Sequence, residues 1–252
     1  MRLWSMLIDW LRCTNARSAP PERQQQSPEK KRDIEPRREF DLLRAAERDA
    51  IVASHLNVAL QAQGFVQVAP RRWVDGSTAP VRRVFEMQLL KGAAMKAAWG
   101  FSLDFVPHLS GGQVCWHRSN RTARFDVIVE LPGREYASFL HGAAWLHHDL
   151  ERLVPTALEQ AQETWRRGST LAGVLGIVRE IREQGINSFY VFFSWQLPLA
   201  CMFLSAKIGD LAVALAELEA YAGKYELAED VVAKLAKRLR DLAPVENGPS
   251  QS

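Results

Sequence analysis

The spacing of hydrophobic residues along this chain changes near Pro132. Apolar and polar residues alternate along much of 65–131, and beyond that point apolar residues recur every three or four positions almost to the C-terminus. Alternation is typical of strands with one buried face, and the longer period is typical of amphipathic helices. The pattern predicts an α+β fold in which an antiparallel sheet packs against an N-terminal helix and a C-terminal helical layer.

The strongest alternation predicts three long strands, Val81–Leu90, Trp99–Val106 and Arg121–Leu131, after two short ones at Phe65–Val68 and Arg71–Val74. Each long strand has one apolar face, and burial of these faces is expected to be a principal stabilising contribution. The residues expected to face the core are Val81, Phe85, Met87, Leu89, Trp99, Phe101, Leu103, Phe105, Ala123, Phe125, Val127, Val129 and Leu131.

One helix is expected before the sheet, at Arg38–Ala62, with Ala45 among its inward residues and Gly64 ending it. After Pro132 the periodicity predicts helices at Glu135–Leu153, Thr156–Arg166, Thr170–Glu183, Leu199–Lys207, Leu211–Tyr221 and Glu226–Leu242. In the first of these, Tyr136, Phe139 and Leu140 are expected on the buried stripe.

The domain organisation follows from these elements. Residues 38–244 are expected to form a single α+β domain, with the helix and sheet at 38–132 and the helical part at 133–244. Residues 1–37 combine a short apolar segment with a polar stretch that is interpreted as a flexible linker, and 245–252 as a disordered tail. The apolar residues 1–11 are too few to span a bilayer, so they are expected to dock on the protein or on a membrane surface.

Composition narrows the class of protein. With 252 residues, 47% apolar and 24% charged, the chain has the composition of a globular protein, and its net charge of +3 does not favour nucleic-acid binding. Cys13, Cys115 and Cys201 are widely spaced and odd in number, which argues against a disulfide framework and predicts a cytoplasmic protein.

No motif predicts a catalytic residue, a metal site or a cofactor. Leu109–Gln113 reads Leu-Ser-Gly-Gly-Gln, the signature pentapeptide of ABC-transporter ATPases, but the chain has no phosphate-binding loop to accompany it. His141 and His148 are seven residues apart, about 10 Å along a helix, which is too far for two ligands of one metal. Cys115 has no second ligand pair, and the thiols are expected to be inert.

A group of charged and polar residues is expected on the opposite face of the three long strands. The group comprises Arg82, Glu86, Gln88, Ser102, Asp104, Arg124, Asp126 and Glu130. Such a face is ordinary in an antiparallel sheet, with opposite charges paired across strands. Alternatively, the face is a polar platform that binds a protein or ligand, or Asp104 and Asp126 perform acid–base chemistry.

A second candidate binding face lies on the helix predicted at Glu135–Leu153. His141, Trp145 and His148 share a side of this helix that is opposite or oblique to its apolar stripe. They are interpreted either as exposed helix residues without a role or as a face that recognises a partner.

Several segments resemble a bacterial family, domain-of-unknown-function family 4304. The matching residues are Leu56–Phe65, Arg72-Trp73, Val84–Gln88, Trp99–Leu103 and Phe203–Leu218. The resemblance covers roughly 45–221 and implies a bacterial cytosolic α+β domain without known chemistry. It supplies no catalytic residues, and by analogy such proteins often look like immunity or defence accessories.

These observations leave three functional hypotheses. The leading one is a non-enzymatic bacterial binding protein that contacts another protein through the polar sheet face or the His141/Trp145/His148 face, as a toxin-immunity or defence accessory. The alternatives are a hydrolase-type enzyme that uses sheet carboxylates and a peripheral membrane protein that uses residues 1–11. The sequence does not predict the oligomeric state.

Overall fold

The structure is a computed structural model that describes residues 43–77, 79–110, 113–116, 119–131, 133, 135–184 and 196–244. These residues belong to one compact unit of the chain, 39–252. The predicted apolar segment, linker and C-terminal tail lie outside the described residues.

A six-stranded antiparallel sheet forms the centre of this unit, in the order β1-β2-β3-β4-β7, with β8 also paired to β4. A separate antiparallel pair is formed by β5 and β6. The strands are β1 (Val66–Ala69), β2 (Arg72–Asp75), β3 (Val81–Leu90), β4 (Ala94–Leu103), β5 (His108–Ser110), β6 (Gln113–Cys115), β7 (Val127–Glu130) and β8 (Ala137–Ser138).

Six described helices accompany the sheet, one before it and five after it. They are α1 (Ala45–Gln61), α2 (Ala143–Arg167), α3 (Leu171–Glu183), α4 (Gln196–Lys207), α5 (Leu211–Tyr225) and α6 (Glu229–Leu242). The predicted α+β class, with an N-terminal helix and a C-terminal helical layer on an antiparallel sheet, is confirmed.

Helix α1 begins later than the periodicity predicts. It starts at Ala45, which is exposed rather than buried, whereas Val52, Leu56 and Leu60 lie in the core. Its end is as expected: Gly64 has a φ of +86°, and the amide of the next residue, Phe65, donates a hydrogen bond back to the Leu60 carbonyl. A glycine fits here because the left-handed conformation costs it little.

The main core lies between the inner face of the sheet and the helices. Phe85, Met87, Trp99 and Phe101 are almost fully buried there, as the alternation predicts. Trp99 donates its indole N–H to Thr164 Oγ1 at 2.9 Å, so this buried polar group keeps a partner. By contrast, Leu89 near the end of β3 is 43% exposed, although Met95, its partner on β4, is buried in the core.

Helix α2 corrects the prediction of two helices separated at Pro155. It is one helix of 25 residues that contains Pro155 and begins only at Ala143. A proline inside a helix removes one backbone hydrogen bond and costs about 3 kcal/mol. That cost is offset because the helix buries eight residues, Leu146, Leu150, Leu153, Val154, Ala157, Leu158, Ala161 and Trp165.

Strand boundaries also depart from the sequence prediction. Strand β4 starts at Ala94 rather than Trp99, and β7 covers only Val127–Glu130 of the predicted Arg121–Leu131. Residues Asn120–Thr122 instead form a turn of 3-10 helix capped by Ser119. Of the Leu-Ser-Gly-Gly-Gln pentapeptide, Leu109 lies in β5 and Gln113 in β6, so Gln113 begins a strand rather than the helix an ATPase signature would require.

The remaining helices agree with the predictions to within a few residues. Thr170 caps α3 by accepting a hydrogen bond from the Gly173 amide at 3.1 Å. Asp210 precedes α5 directly but makes no side-chain cap hydrogen bond. None of the helices in the described part of the chain combines the length and apolar character needed to cross a membrane.

Candidate functional site

Charged residues of β3 and β4 form ion pairs with residues of neighbouring strands and loops on the outer face of the sheet, the side away from α1 and α2. Glu86 accepts a hydrogen bond from Arg72 Nε at 2.8 Å, and Asp104 forms an ion pair with Arg82. Lys96 lies 3.1 Å from Glu130 in the same way. The charges expected to recognise a partner are therefore largely neutralised within the sheet.

Part of this outer face is also apolar and covered. Val74, Val84, Ala98 and Ile128 form a second small core there, together with Ala123 and Phe125. Ala123 and Phe125 do not belong to β7, so the alternation of that strand does not determine where their side chains point. The expectation that both residues face the main core is wrong, and the open polar platform is smaller than the sequence predicts.

Asp126 is the clearest correction among the predicted site residues. Its carboxylate is buried, accepting hydrogen bonds from the Leu103 amide at 2.6 Å and from Gln196 Nε2 at 2.7 Å. His108 Nε2 lies 3.1 Å from the same carboxylate. Burial raises the pKa of Asp126, an effect opposed by His108 and by these hydrogen bonds. This side chain joins β4, β5 and α4, and it cannot contact a partner.

The other residues of the predicted platform fall in different environments. Glu86, Gln88 and Asp104 are half-buried, whereas Arg124 is exposed. The carboxylates of Asp104 and Asp126 have separate partners, Arg82 for the first and His108 with Gln196 for the second. Each of the two carboxylates is thus held by its own partners, and the hypothesis of a hydrolase that uses sheet carboxylates stays a prediction.

The second candidate face is exposed as predicted, although its backbone differs. Trp145 is 55% exposed near the start of α2, and His148 is exposed one turn further on. His141 precedes the helix instead of lying in it, yet its ring contacts that of Trp145, with centroids 5.5 Å apart and the ring planes tilted by 55°. The structure thus brings His141 and Trp145 together.

Two large apolar side chains that the sequence assigns to the core are exposed in this region. Tyr136 is 47% exposed and Leu140 is 46% exposed, because residues 135–142 form β8 and a turn instead of the first turns of a helix. We call Tyr136, Leu140, His141, Trp145 and His148 the aromatic face. The helical period assigned Tyr136 and Leu140 to the wrong environment, and Gly142, which has a φ of +92° directly before α2, was a local sign of the break.

The backbone of the aromatic face is held in place by hydrogen bonds. The Ser138 amide donates to Asp149 Oδ2 at 2.8 Å, and the Phe139 amide donates to the Ala93 carbonyl at 2.9 Å. The side chain of Phe139 is buried, with the Arg48 guanidinium 5.2 Å from its ring centroid. These contacts tie the turn to the sheet and to both α1 and α2, so the exposed side chains project from a fixed support.

Near the aromatic face, a cavity of about 270 Å³ lies between the segment after β7 and α2. Its lining comprises Leu131, Glu135, Arg152, Leu153, Thr156 and Gln160. Arg152 and Glu135 form an exposed ion pair at 2.7 Å. This volume is slightly below the range of about 300–1,000 Å³ that is typical of small-molecule sites.

The surroundings of Cys201 disfavour a reactive thiolate. It is buried in α4, and its sulfur lies 3.0 Å from Arg182 Nη1 and 3.5 Å from Glu217 Oε1. Burial and the nearby Glu217 raise the pKa of the Cys201 thiol, against the opposing effect of Arg182. A raised pKa reduces the thiolate fraction on which reactivity depends.

Comparison of the chain with protein-family models, with curated proteins and with solved structures finds no match. The resemblance to family 4304 therefore stays a prediction from the sequence.

Proposed function

We propose that this protein is a non-enzymatic binding protein that recognises another protein through the aromatic face. The observation that carries the proposal is the exposure of three large side chains near one another in the chain, Tyr136, Leu140 and Trp145, at a turn whose backbone is fixed by hydrogen bonds. Tyr and Trp are enriched among the residues that contribute most to binding energy at protein interfaces. Burying side chains that are already held in place costs less conformational entropy than ordering a flexible loop.

The polar outer face of the sheet supports binding less well than the aromatic face. Its charged residues have partners within the sheet, and a new partner would have to replace these ion pairs. Exposed ion pairs contribute little net affinity, and breaking a partly buried pair carries a cost. A toxin-immunity or defence-accessory role fits a module of this kind and remains a hypothesis within the proposal.

The experiment compares Trp145→Ala and Tyr136→Ala with Ile208→Ala, a control that removes a similarly exposed apolar side chain at the end of α4. Proteins captured from the native host by the wild-type chain are identified. The Kd of the wild type and of each variant for each captured protein is then measured with purified components. Loss of a central aromatic contact is expected to weaken binding by about 30-fold, equivalent to about 2 kcal/mol. Ile208→Ala should bind like the wild type.

The two aromatic variants should keep the wild-type free energy of unfolding to within about 0.5 kcal/mol, because their side chains are largely exposed. Equal affinity of all variants for every captured protein would contradict the proposal. Partner binding that depends on Glu86 or Arg124, and not on Trp145 or Tyr136, would also contradict the proposal. Liposome sedimentation of the same variants tests the membrane hypothesis, and sedimentation that requires residues 1–11 but not Trp145 would favour it.

A further inference from the structure

Two histidines meet between α1 and α2, away from the aromatic face. His55 Nε2 of α1 lies 2.8 Å from His147 Nδ1 of α2, with the ring centroids 5.0 Å apart. Both residues are half-buried, so solvent still reaches the pair. The sequence offers no signal for this contact, because the two residues are separated by 92 positions.

The two ring nitrogens share one hydrogen bond, in which one ring donates and the other accepts. Burial lowers the pKa of His55, and His147 lowers it further, whereas Glu151 opposes the shift. A ring nitrogen without a proton offers the lone pair through which imidazole binds metal ions.

The separation of the two ring nitrogens is close to that of two ligands on one metal ion, although each ring must turn from the other nitrogen towards a shared metal position. Nitrogen-to-metal distances of about 2.0–2.1 Å in a tetrahedral site place two ligating nitrogens about 3.3 Å apart. A separation of 2.8 Å needs to widen by only about half an ångström to reach this value. Glu151 lies one helical turn after His147, on the same side of α2, and is near enough to affect the pKa of His55.

We propose that His55 and His147 bind one late first-row divalent ion, such as Zn²⁺ or Cu²⁺, and so link α1 to α2. Imidazole ligands suit these ions, and Cu²⁺ should bind more tightly than Zn²⁺. In the described residues, no three His, Cys, Asp or Glu side chains are arranged to hold a metal. The site therefore has two protein ligands, with water in the remaining positions.

The test uses the full chain after removal of metal with a chelator. Zn²⁺ or Cu²⁺ alone is titrated into the wild type, His55→Gln, His147→Gln and the control His148→Gln. His148 is a suitable control because it adjoins His147 in sequence but is exposed on another side of α2. The Kd is measured by calorimetry, and the Tm is followed at each metal concentration.

We expect one equivalent of metal to raise the Tm of the wild type, and the rise to grow with metal concentration above the Kd. His55→Gln and His147→Gln should each weaken binding at least about tenfold, which corresponds to about 1.4 kcal/mol. His148→Gln should behave like the wild type. Binding that is absent in the wild type, or that persists unchanged in both Gln variants, would overturn the proposal.

A measurement on the wild type alone guards against variants that fail to fold. The electron paramagnetic resonance spectrum of the one-equivalent Cu²⁺ complex should show hyperfine coupling to two imidazole nitrogens. Coupling to a single nitrogen, or to none, would contradict the two-histidine site. Since His55 and His147 lie outside the aromatic face, loss of metal binding and loss of partner binding can be distinguished.

Discussion

The outer face of the sheet and the aromatic face both carry residues that the sequence predicts as binding residues, but they differ in what those residues already contact. On the sheet, Glu86 and Asp104 are paired with arginines, and Asp126 is buried. On the aromatic face, Trp145 has an adjacent ring from His141 but remains more than half exposed. A cluster of charges in the sequence therefore says less about an available surface than the apolar area that folding leaves exposed.

Among the substitutions that test this comparison, Phe125→Ala is expected to change the free energy of unfolding most. Phe125 covers the outer face of the sheet and is 4% exposed, so removing its ring leaves a cavity over Val84 and Ile128. We expect a loss of about 3 kcal/mol in the free energy of unfolding, measured with urea.

Arg124→Ala is the matched control for Phe125→Ala, because the adjacent Arg124 is exposed. Its effect on unfolding should stay within about 0.5 kcal/mol. The assignment of Phe125 to a covering role would be wrong if the two variants were equally stable.

A somewhat smaller effect is expected from Asp126→Ala. The substitution leaves the Leu103 amide without its carboxylate acceptor and removes one of the two acceptors of the Gln196 side chain. Unsatisfied buried groups of this kind cost about 1–3 kcal/mol each, so we expect a total loss of about 2–3 kcal/mol. Asp126→Asn should lose less, because it retains one acceptor oxygen.

Asp126 also predicts the direction in which the stability of the protein changes with pH. The folded-state pKa of Asp126 is raised above the ordinary value of 3.8, so the folded state binds the proton more tightly than the unfolded state. The contribution of Asp126 to stability is therefore greatest below pH 3.8 and declines as the pH rises through the folded pKa. Relative to Asp126→Asn, the wild type should lose stability as the pH rises through this window. If the difference in stability between the wild type and Asp126→Asn did not change with pH, the raised pKa of Asp126 would be contradicted.

The smallest effect concerns the Arg72–Glu86 pair on the outer face. A double-mutant cycle with Arg72→Ala and Glu86→Ala should give a coupling energy of about 0.2–1 kcal/mol. Neither substitution should change the Kd for a partner that depends on Trp145. A partner whose binding falls with Glu86→Ala, while Trp145→Ala leaves it unchanged, would reverse the ranking of the two faces.

Local patterns predicted much of the fold and part of the candidate site. Strand β3 was predicted at its observed bounds, because Phe85 and Met87 alternate with polar residues between clear turn signals. The exposure of Trp145 and His148 was also predicted, since both lie off the apolar stripe of α2. Tyr136 and Leu140 were misassigned because a helical period of apolar residues also fits a short strand followed by a turn.

By itself, the sequence determined the α+β class, the order of the main strands and helices and the inner face of β3 and β4, because these depend on periodicities within a few residues. Only the tertiary structure decided that Pro155 lies inside one helix, that Phe125 covers the outer face and that Asp126 is buried. It also decided that His55 meets His147. Each of these outcomes depends on contacts between residues far apart in the chain, whose free energy outweighs local preference and leaves no signal in the spacing of neighbours.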